Sequence, residues 1–284
     1  MGQKIGVLIL HGAGTPERDF AEKMIQQISG DFRDKCGTNR VDLEFEPVFW
    51  SSVFAQEQQQ LWKSMQHDAD LDYGWLRQFV ITFLSDAVAY QPTSAGGQNY
   101  DKVHTVVAKS IRQLKERAGE TAPLCVISHS LGSIVASNYF YDLQYRRSNI
   151  RALTKQNSDD TPIENCETMA LFYSLGSPMA LWSLRYIDFG SPITVPSPHM
   201  TDHYPGITGE WLNFYDKDDI LAYPLKGLND AYKEAVTEDV EVNAGGLLTS
   251  WNPLSHAKYD TDGDVISKIT DGLLRVWKNV NASR

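Results

Sequence analysis

The chain of 284 residues contains 42% hydrophobic and 22% charged residues, a composition typical of a globular protein with a sizeable core and not of a disordered one. Asp and Glu outnumber Lys and Arg by 36 to 26, and the net charge of -10 repels polyphosphate, so no nucleic-acid partner is expected. The length is compatible with one α/β domain, and we expect a single domain over residues 1–284.

The cysteines and the N-terminus indicate the compartment. The 3 cysteines, Cys36, Cys125 and Cys166, are odd in number and too far apart in sequence for a disulfide framework or a metal pair. The first apolar run, IGVLIL, is shorter than the core of a signal peptide, and no stretch approaches the roughly 20 apolar residues of a membrane span. These features predict a cytoplasmic protein without a transmembrane segment.

Short apolar runs alternate with longer stretches of helical periodicity along the chain. This alternation predicts an α/β fold, in which βαβ units build a mostly parallel sheet flanked by helices. The predicted strands are 5–10, 41–49, 124–128, 169–176, 211–215 and 240–246. The predicted helices are 20–32, 103–117 and 265–277, and each has one apolar face.

Residues 51–100 and 177–210 exceed the connections that a minimal sheet needs. Both regions carry aromatic residues, and the second is also rich in proline. Either region could form a cap over a site. The alternative interpretation is that their aromatic side chains pack on the main core.

The segment HSLG at 129–132 follows a predicted strand and precedes an apolar stretch typical of a helix. Strand, sharp turn and helix form the context of a nucleophile elbow, which exposes a serine hydroxyl above the sheet. We therefore predict Ser130 as a catalytic nucleophile, with the following N–H, that of Leu131, as an oxyanion donor at the helix N-terminus.

The elbow pattern G-x-S-x-G is matched imperfectly. Ser128 replaces the first glycine, where a small residue is required, and Gly132 occupies the second position. The alternative interpretation of these residues is an ordinary helix N-cap without a catalytic role.

The first predicted strand ends in His11-Gly12-Ala13-Gly14, directly before a predicted helix. In enzymes with a nucleophile elbow the loop at this place supplies a second oxyanion donor, and we assign it to Ala13 N–H, with His11 and Gly12 as supporting residues. A dinucleotide-binding loop is the alternative, but Glu17 stands where its third glycine would be needed.

A serine nucleophile needs a base, and the base needs an orienting carboxylate. The acidic turn 216–219 follows the strand 211–215, at the end of the sheet where the site residues of parallel sheets gather. One of its aspartates is the predicted acid, although an acidic run of this kind is commonly just solvated.

His256 is the predicted base. It lies in a loop before the last predicted helix, which gives the chain order Ser, Asp, His. His199 and His203 are weaker substitutes, and as a metal pair they lack an obvious third ligand, so no metal and no other cofactor is predicted.

With these residues assembled, the chain resembles the α/β-hydrolase superfamily over nearly its whole length, because HGAG, SHSLGS, LGSP and the late Asp and His fall in the family's order. More narrowly, SHSLGSIVAS, YSLGSP at 173–178 and NFYDKDDILAYPL at 213–225 resemble intracellular phospholipases that carry a DDHD domain. Counting from Asn213 in that resemblance assigns the triad acid to Asp219, whereas the general hydrolase pattern also permits Asp218.

The resemblance implies a serine hydrolase of the esterase or lipase type that cleaves a small-molecule or lipid carboxylic ester through an acyl-enzyme. An acyltransferase or thioesterase that uses the same triad is one alternative. A non-catalytic binding protein with the hydrolase fold is another. No sequence feature bears on the oligomeric state.

Overall fold

A computed structural model describes residues 2–14, 16–37, 42–67, 74–91, 98–145, 152–244, 256 and 258–282. Its centre is one six-stranded sheet with the strand order β2-β1-β3-β4-β5-β6, and all neighbouring strands are parallel. The strands are β1 (Ile5–Leu10), β2 (Leu43–Val48), β3 (Leu124–His129), β4 (Met169–Leu175), β5 (Glu210–Tyr215) and β6 (Glu238–Glu241). The predicted parallel α/β architecture is confirmed.

Helices occupy both faces of this sheet. They are α1 (Glu22–Cys36), α2 (Ala55–His67), α3 (Gly74–Ala89), α4 (Gln98–Ala118), α5 (Leu131–Tyr145), α6 (Ala152–Lys155), α7 (Met179–Ser183), α8 (Met200–His203), α9 (Asp230–Ala235) and α10 (Gly263–Asn281). Short 3₁₀ turns lie at Trp50–Val53, Ile187–Phe189 and Tyr259–Thr261. Among the described residues, no helix is both long enough and apolar enough to cross a membrane.

The core consists of two layers, one on each side of the sheet, because successive side chains of a strand point to opposite faces. Leu8 and Leu10 of β1 join the layer that contains apolar residues of α4 and α5. Val7 and Ile9 join the layer that contains apolar residues of α1 and α10. Since β1 is buried on both faces, its continuous apolar run is the expected pattern of a central parallel strand.

The predicted boundaries differ from the observed ones mainly at the edge of the sheet. The strand predicted at 240–246 is β6 at Glu238–Glu241, and residues 245–246 lie outside the described part of the chain. This edge strand pairs with β5 alone, so its acidic residues keep access to solvent and give no apolar signal.

Helix α10 begins where the Asp262 side chain accepts hydrogen bonds from the N–H groups of residues 264 and 265.

The strand order places a crevice at the carboxyl ends of β1 and β3. The chain passes from β1 to β2 on one side and later proceeds from β3 towards β6 on the other, so the loops after β1 and β3 diverge. Ligands of open α/β sheets bind at such a switch point. The strand order, the flanking helices and the turn after β3 together form an α/β-hydrolase fold.

Candidate active site

Ser130 stands on the sharp turn between β3 and α5. Its φ of 49° lies in the left-handed region, which is costly for a residue with a side chain. The turn is fixed by the Ser130 N–H, which donates to Leu175 O of β4 at 2.9 Å. The strained serine at a strand-to-helix turn is the geometry of a nucleophile elbow, and only 2% of the residue is exposed.

The elbow and the loop after β1 approach each other as closely as their backbones allow. Leu10 pairs with Ser128 in the β1–β3 register, which carries Gly12 to the side of Ser130. A Cβ on Gly132 would lie 2.2 Å from His11 O, and a Cβ on Gly12 would lie 2.9 Å from Ser130 Cβ. Both positions therefore require glycine.

Ser128, at the position of the first glycine in the elbow pattern, is fully buried. Its hydroxyl donates to Tyr173 O of the neighbouring strand β4 at 3.1 Å. The departure from glycine is thus accommodated by a side chain that is small and has a buried acceptor within reach.

The side chains of Ser130, His256 and Asp219 form one chain of hydrogen bonds. His256 Nε2 lies 2.6 Å from Ser130 Oγ, and His256 Nδ1 lies 2.7 Å from Asp219 Oδ2. A carboxylate only accepts, so we assign the proton to Nδ1, which leaves Nε2 as the acceptor for the serine hydroxyl. The structure thus brings together the nucleophile, base and acid predicted from the sequence.

The two candidate acids differ in their surroundings. Asp219 is buried, whereas Asp218 is exposed, and the Asp218 N–H donates to Asp216 Oδ1. Burial acts to raise the pKa of Asp219, but the hydrogen bond and charge of His256, with donors from Leu221 N–H and the Tyr259 hydroxyl, hold it below its ordinary value. Asp219 is therefore a carboxylate at neutral pH, with its charge directed to His256.

Tyr259 is a site residue that the sequence reasoning missed. Its fully buried hydroxyl donates to Asp219 Oδ2 at 2.9 Å and accepts from Asp216 N–H at 2.8 Å. Its ring also packs against the turn after β4, since a Cβ on Gly176 would lie 2.8 Å from it. A buried tyrosine is usually a core residue, so no sequence signal distinguishes this one.

Asn213 of β5 closes the turn that carries Asp219. Its amide nitrogen donates to Tyr223 O at 3.0 Å and to Asp239 Oδ1 at 2.8 Å, while its oxygen accepts from Ser174 Oγ at 2.8 Å. This explains why the stretch 213–225 carries an asparagine several residues before the acid: its side chain holds both ends of the loop together.

His129 holds the backbone of His256. Its Nε2 lies 2.6 Å from His256 O, so the Nε2–H donates to that carbonyl. Burial, reinforced by the neighbouring His256, lowers the pKa of His129 to about 3, so the ring is neutral at pH 7. This hydrogen bond holds the backbone of His256 in place at the site.

The predicted oxyanion loop, residues 11–14, is held by side chains on several sides. His11 Nδ1 lies 2.6 Å from Gly12 O and donates to it, while the His11 ring stacks on Trp50 at 5.0 Å. Burial lowers the pKa of His11 to about 4, so the ring is neutral. The contact orients the peptide between Gly12 and Ala13, whose N–H is one predicted oxyanion donor.

The other predicted donor, Leu131 N–H, belongs to the first residue of α5. The first N–H groups of a helix have no partner within the helix and carry a partial positive charge. Leu131 is fully buried directly after Ser130, so its N–H is in place for a charge that develops beside the serine.

Asp86 of α3 was also missed by the sequence reasoning. It is fully buried, its Oδ2 accepts from Gly14 N–H at 2.6 Å, and its Oδ1 accepts from the Gln58 amide of α2. Burial raises the pKa of Asp86 to about 6, although both hydrogen bonds act to lower it. The sequence feature that could have indicated Asp86 is a single acidic residue in the apolar stretch ITFLSDAVAY.

A cleft of about 360 Å³ opens beside Ser130 and His256. Its walls are mainly apolar, with Phe20 and Met24 on one side, Ile127 and Leu175 at the sheet, and Phe83 of α3. Clefts of this size and character bind small organic ligands. Phe83 belongs to the first expected cap region, while no described residue of 177–210 lines this cleft.

The substitute bases lie elsewhere. His199 Nδ1 is paired with Asp202 at 3.1 Å, and His203 Nε2 is paired with Glu167 at 3.1 Å. Neither belongs to the cleft beside Ser130.

No family model matches the chain, and no curated protein matches it. Among solved structures it is similar to Aspergillus fumigatus lipase B, with a TM-score of 0.37 and 13% sequence identity. The alignment covers 99% of this chain and 63% of the lipase chain, so the present chain spans less than two thirds of that protein. A likeness of this degree says nothing about the substrate of the present chain.

Proposed function

We propose that the protein is a serine hydrolase that cleaves a carboxylic ester through a triad of Ser130, His256 and Asp219. The observation that carries the proposal is the continuous hydrogen-bonded chain from Ser130 Oγ through His256 to Asp219 Oδ2, with distances of 2.6 and 2.7 Å. Side chains in this order have the roles of nucleophile, general base and orienting acid.

In the proposed reaction, Ser130 Oγ attacks the ester carbonyl carbon while its proton passes to His256 Nε2. The negative charge that forms on the former carbonyl oxygen is stabilised by the N–H groups of Ala13 and Leu131. Collapse of this intermediate breaks the ester C–O bond, and the departing alcohol takes the proton from His256. The acyl group is then bound to Ser130 as an ester.

Water completes the cycle. His256 Nε2 takes a proton from a water molecule as the water oxygen attacks the acyl carbon. The same proton then passes to Ser130 Oγ as the carboxylic acid leaves. Asp219 remains ionised throughout and stabilises the imidazolium form of His256.

An ester with an apolar portion fits the cleft. Its walls are mainly apolar, and burial of a hydrocarbon chain there contributes roughly 25 cal/mol for each Å² removed from water. The resemblance of 173–178 and 213–225 to DDHD-type phospholipases supports a lipid ester as the substrate class. The proposal includes a cytoplasmic setting, in which Cys36, Cys125 and Cys166 are thiols and not disulfides.

The test is hydrolysis of p-nitrophenyl esters of short and long acyl chains by the wild type and by Ser130→Ala. We expect turnover that falls by about 10⁶-fold in the variant. Product analysis with added alcohols and thiols separates hydrolysis from acyl transfer, because a transferase would form new esters or thioesters. Absence of turnover over the whole panel by a folded wild-type protein would contradict the proposal.

A further inference from the structure

We propose that Asp86 and Ser51 are positioning residues through which the helical region, residues 50–67 and 74–91, sets the conformation of the oxyanion loop. The inference rests on the proposed function, since it assigns the loop's N–H groups a role in ester cleavage. It concerns how the donor is held in place and by which part of the chain.

Both hydrogen-bonding groups of the Gly14 backbone are held by this region. The Gly14 N–H donates to Asp86 Oδ2 at 2.6 Å, and Gly14 O accepts from Ser51 Oγ at 2.6 Å. At the other end of the loop, Trp50 Nε1 donates to His11 O at 2.8 Å. Three side chains of one region therefore fix the two ends of the loop.

These contacts determine which N–H of the loop is left to act as a donor. Because the Gly14 N–H is already bound to Asp86, it is not available to a substrate oxygen. The His11 side chain occupies Gly12 O, so the intervening Ala13 N–H remains as a donor in a peptide that is held on both sides. Gly14 has a φ of 98°, which fits this path because glycine adopts such a conformation without a steric penalty.

The chemistry of Asp86 also points to a specific role. None of the described Lys, Arg or His side chains forms an ion pair with it, and the residue is fully buried. A buried carboxylate without a cation is costly, and an apolar side chain would remove that cost. The contacts that the carboxylate gains in return are those to Gly14 and to Gln58 of α2.

The arrangement couples the packing of α3 on the sheet to catalysis. Asp86 and Phe83 lie on α3, and Phe83 also lines the cleft beside Ser130. When α3 is packed on the sheet, the same helix completes the cleft wall and holds the loop. Displacement of α3 would release the Gly14 N–H and loosen the Ala13 donor while leaving Ser130, His256 and Asp219 in contact.

The test compares Asp86→Leu and Ser51→Ala with Ser52→Ala. Ser52 is a matched control, because it is the adjacent serine and its hydroxyl donates to Phe49 O of the same short segment. We expect kcat to fall by about 10²-fold in Asp86→Leu and about tenfold in Ser51→Ala, with little change in KM or in the control. Asp86→Asn keeps one acceptor oxygen for Gly14 N–H and should retain most of the activity.

Affinity for a trifluoromethyl ketone, which forms a tetrahedral oxyanion adduct on a serine, should fall in parallel with kcat. Hydrogen exchange of residues 11–14 should accelerate in Asp86→Leu and Ser51→Ala and stay unchanged in Ser52→Ala. If wild-type esterase activity is present and Asp86→Leu and Ser51→Ala both keep wild-type kcat and inhibitor affinity, the inference is wrong.

If Asp86→Leu does not fold, the comparison of kcat and inhibitor affinity between Ser51→Ala and Ser52→Ala tests the inference by itself. If the wild type neither turns over esters nor reacts at Ser130, the proposed function is wrong instead. The exchange measurement then still shows whether the helical region holds the loop: faster exchange in Ser51→Ala alone supports the contact, and equal exchange in both serine variants contradicts it.

Discussion

Asp219 Oδ2 accepts from His256 Nδ1 at 2.7 Å, while the adjacent Asp218 projects into solvent. Two neighbouring acids in one turn therefore have different surroundings, since one is buried against the imidazole and the other is hydrated. This difference makes the pair an internal test of the triad.

Asp219→Asn should lower kcat by about 10⁴-fold, because an amide in place of the carboxylate favours the wrong tautomer of His256. Asp218→Asn should leave kcat within about twofold, since its side chain is exposed and the imidazole is paired with Asp219 instead. Ester hydrolysis by the two purified variants checks this. Equal losses of kcat in both variants, or a larger loss in Asp218→Asn, would show that Asp219 is not the triad acid.

Tyr259→Phe should reduce kcat by about tenfold and lower the free energy of unfolding by about 1–3 kcal/mol. The change removes a donor to Asp219 and leaves the buried Asp216 N–H without its acceptor. Tyr204→Phe is the control, because its hydroxyl bonds to Thr121 O outside the site. It should keep wild-type kcat, and a kcat loss in this control equal to that of Tyr259→Phe would contradict the role given to Tyr259.

Gly132→Ala should abolish most activity, since its Cβ would lie 2.2 Å from His11 O and must push the elbow away from the oxyanion loop. Gly30→Ala in α1 is the matched control, because its Cβ meets nothing within 4 Å. That substitution should stabilise the helix by about 0.5–1 kcal/mol and leave kcat unchanged. Thermal unfolding and ester turnover of the two variants measure both effects, and wild-type turnover by Gly132→Ala would refute the close approach.

The pH dependence of stability should report the buried charge of Asp86. Burial raises the pKa of this group from 3.8 to about 6, so its contribution to stability is full below about pH 4 and is lost as the pH rises through 6. Relative to that of Asp86→Asn, the free energy of unfolding of the wild type should therefore fall by on the order of 3 kcal/mol between pH 4 and 7. Denaturant unfolding of both proteins across this range measures it, and a difference that does not change with pH would contradict the raised pKa.

The sequence was sufficient for strands β1–β5 and for the three side chains that lie together at the candidate site. Runs such as 5–10 and 124–128 are buried on both faces, so their apolar character is continuous and visible. Ser130 and His256 are recognisable because chain order and position relative to strands follow from the fold. Choosing Asp219 over Asp218 depended on a family resemblance, because neighbouring residues of a turn have no periodicity that separates them.

Residues that act through another group were harder to find. Tyr259 reaches Asp219 across a gap of 40 positions in sequence, and an ordinary core tyrosine has the same local pattern. Asp86 lies 72 positions from Gly14 and was visible only as a polar residue in an apolar stretch. The edge strand β6 was misplaced because Asp239 accepts hydrogen bonds from β5 and the loop after it, while Glu238 and Glu241 are exposed, so the strand has no apolar pattern.

Covalent labelling with a fluorophosphonate tests the central claim most directly, because the reagent phosphonylates a serine only when a base and an oxyanion site activate it. Mass spectrometry of the wild-type protein should find one adduct, on the peptide that contains Ser130, with no adduct in Ser130→Ala and strongly slowed labelling in a folded His256→Ala variant. An adduct of equal yield in Ser130→Ala, or no adduct in the folded wild type, would contradict the assignment of Ser130 as the nucleophile.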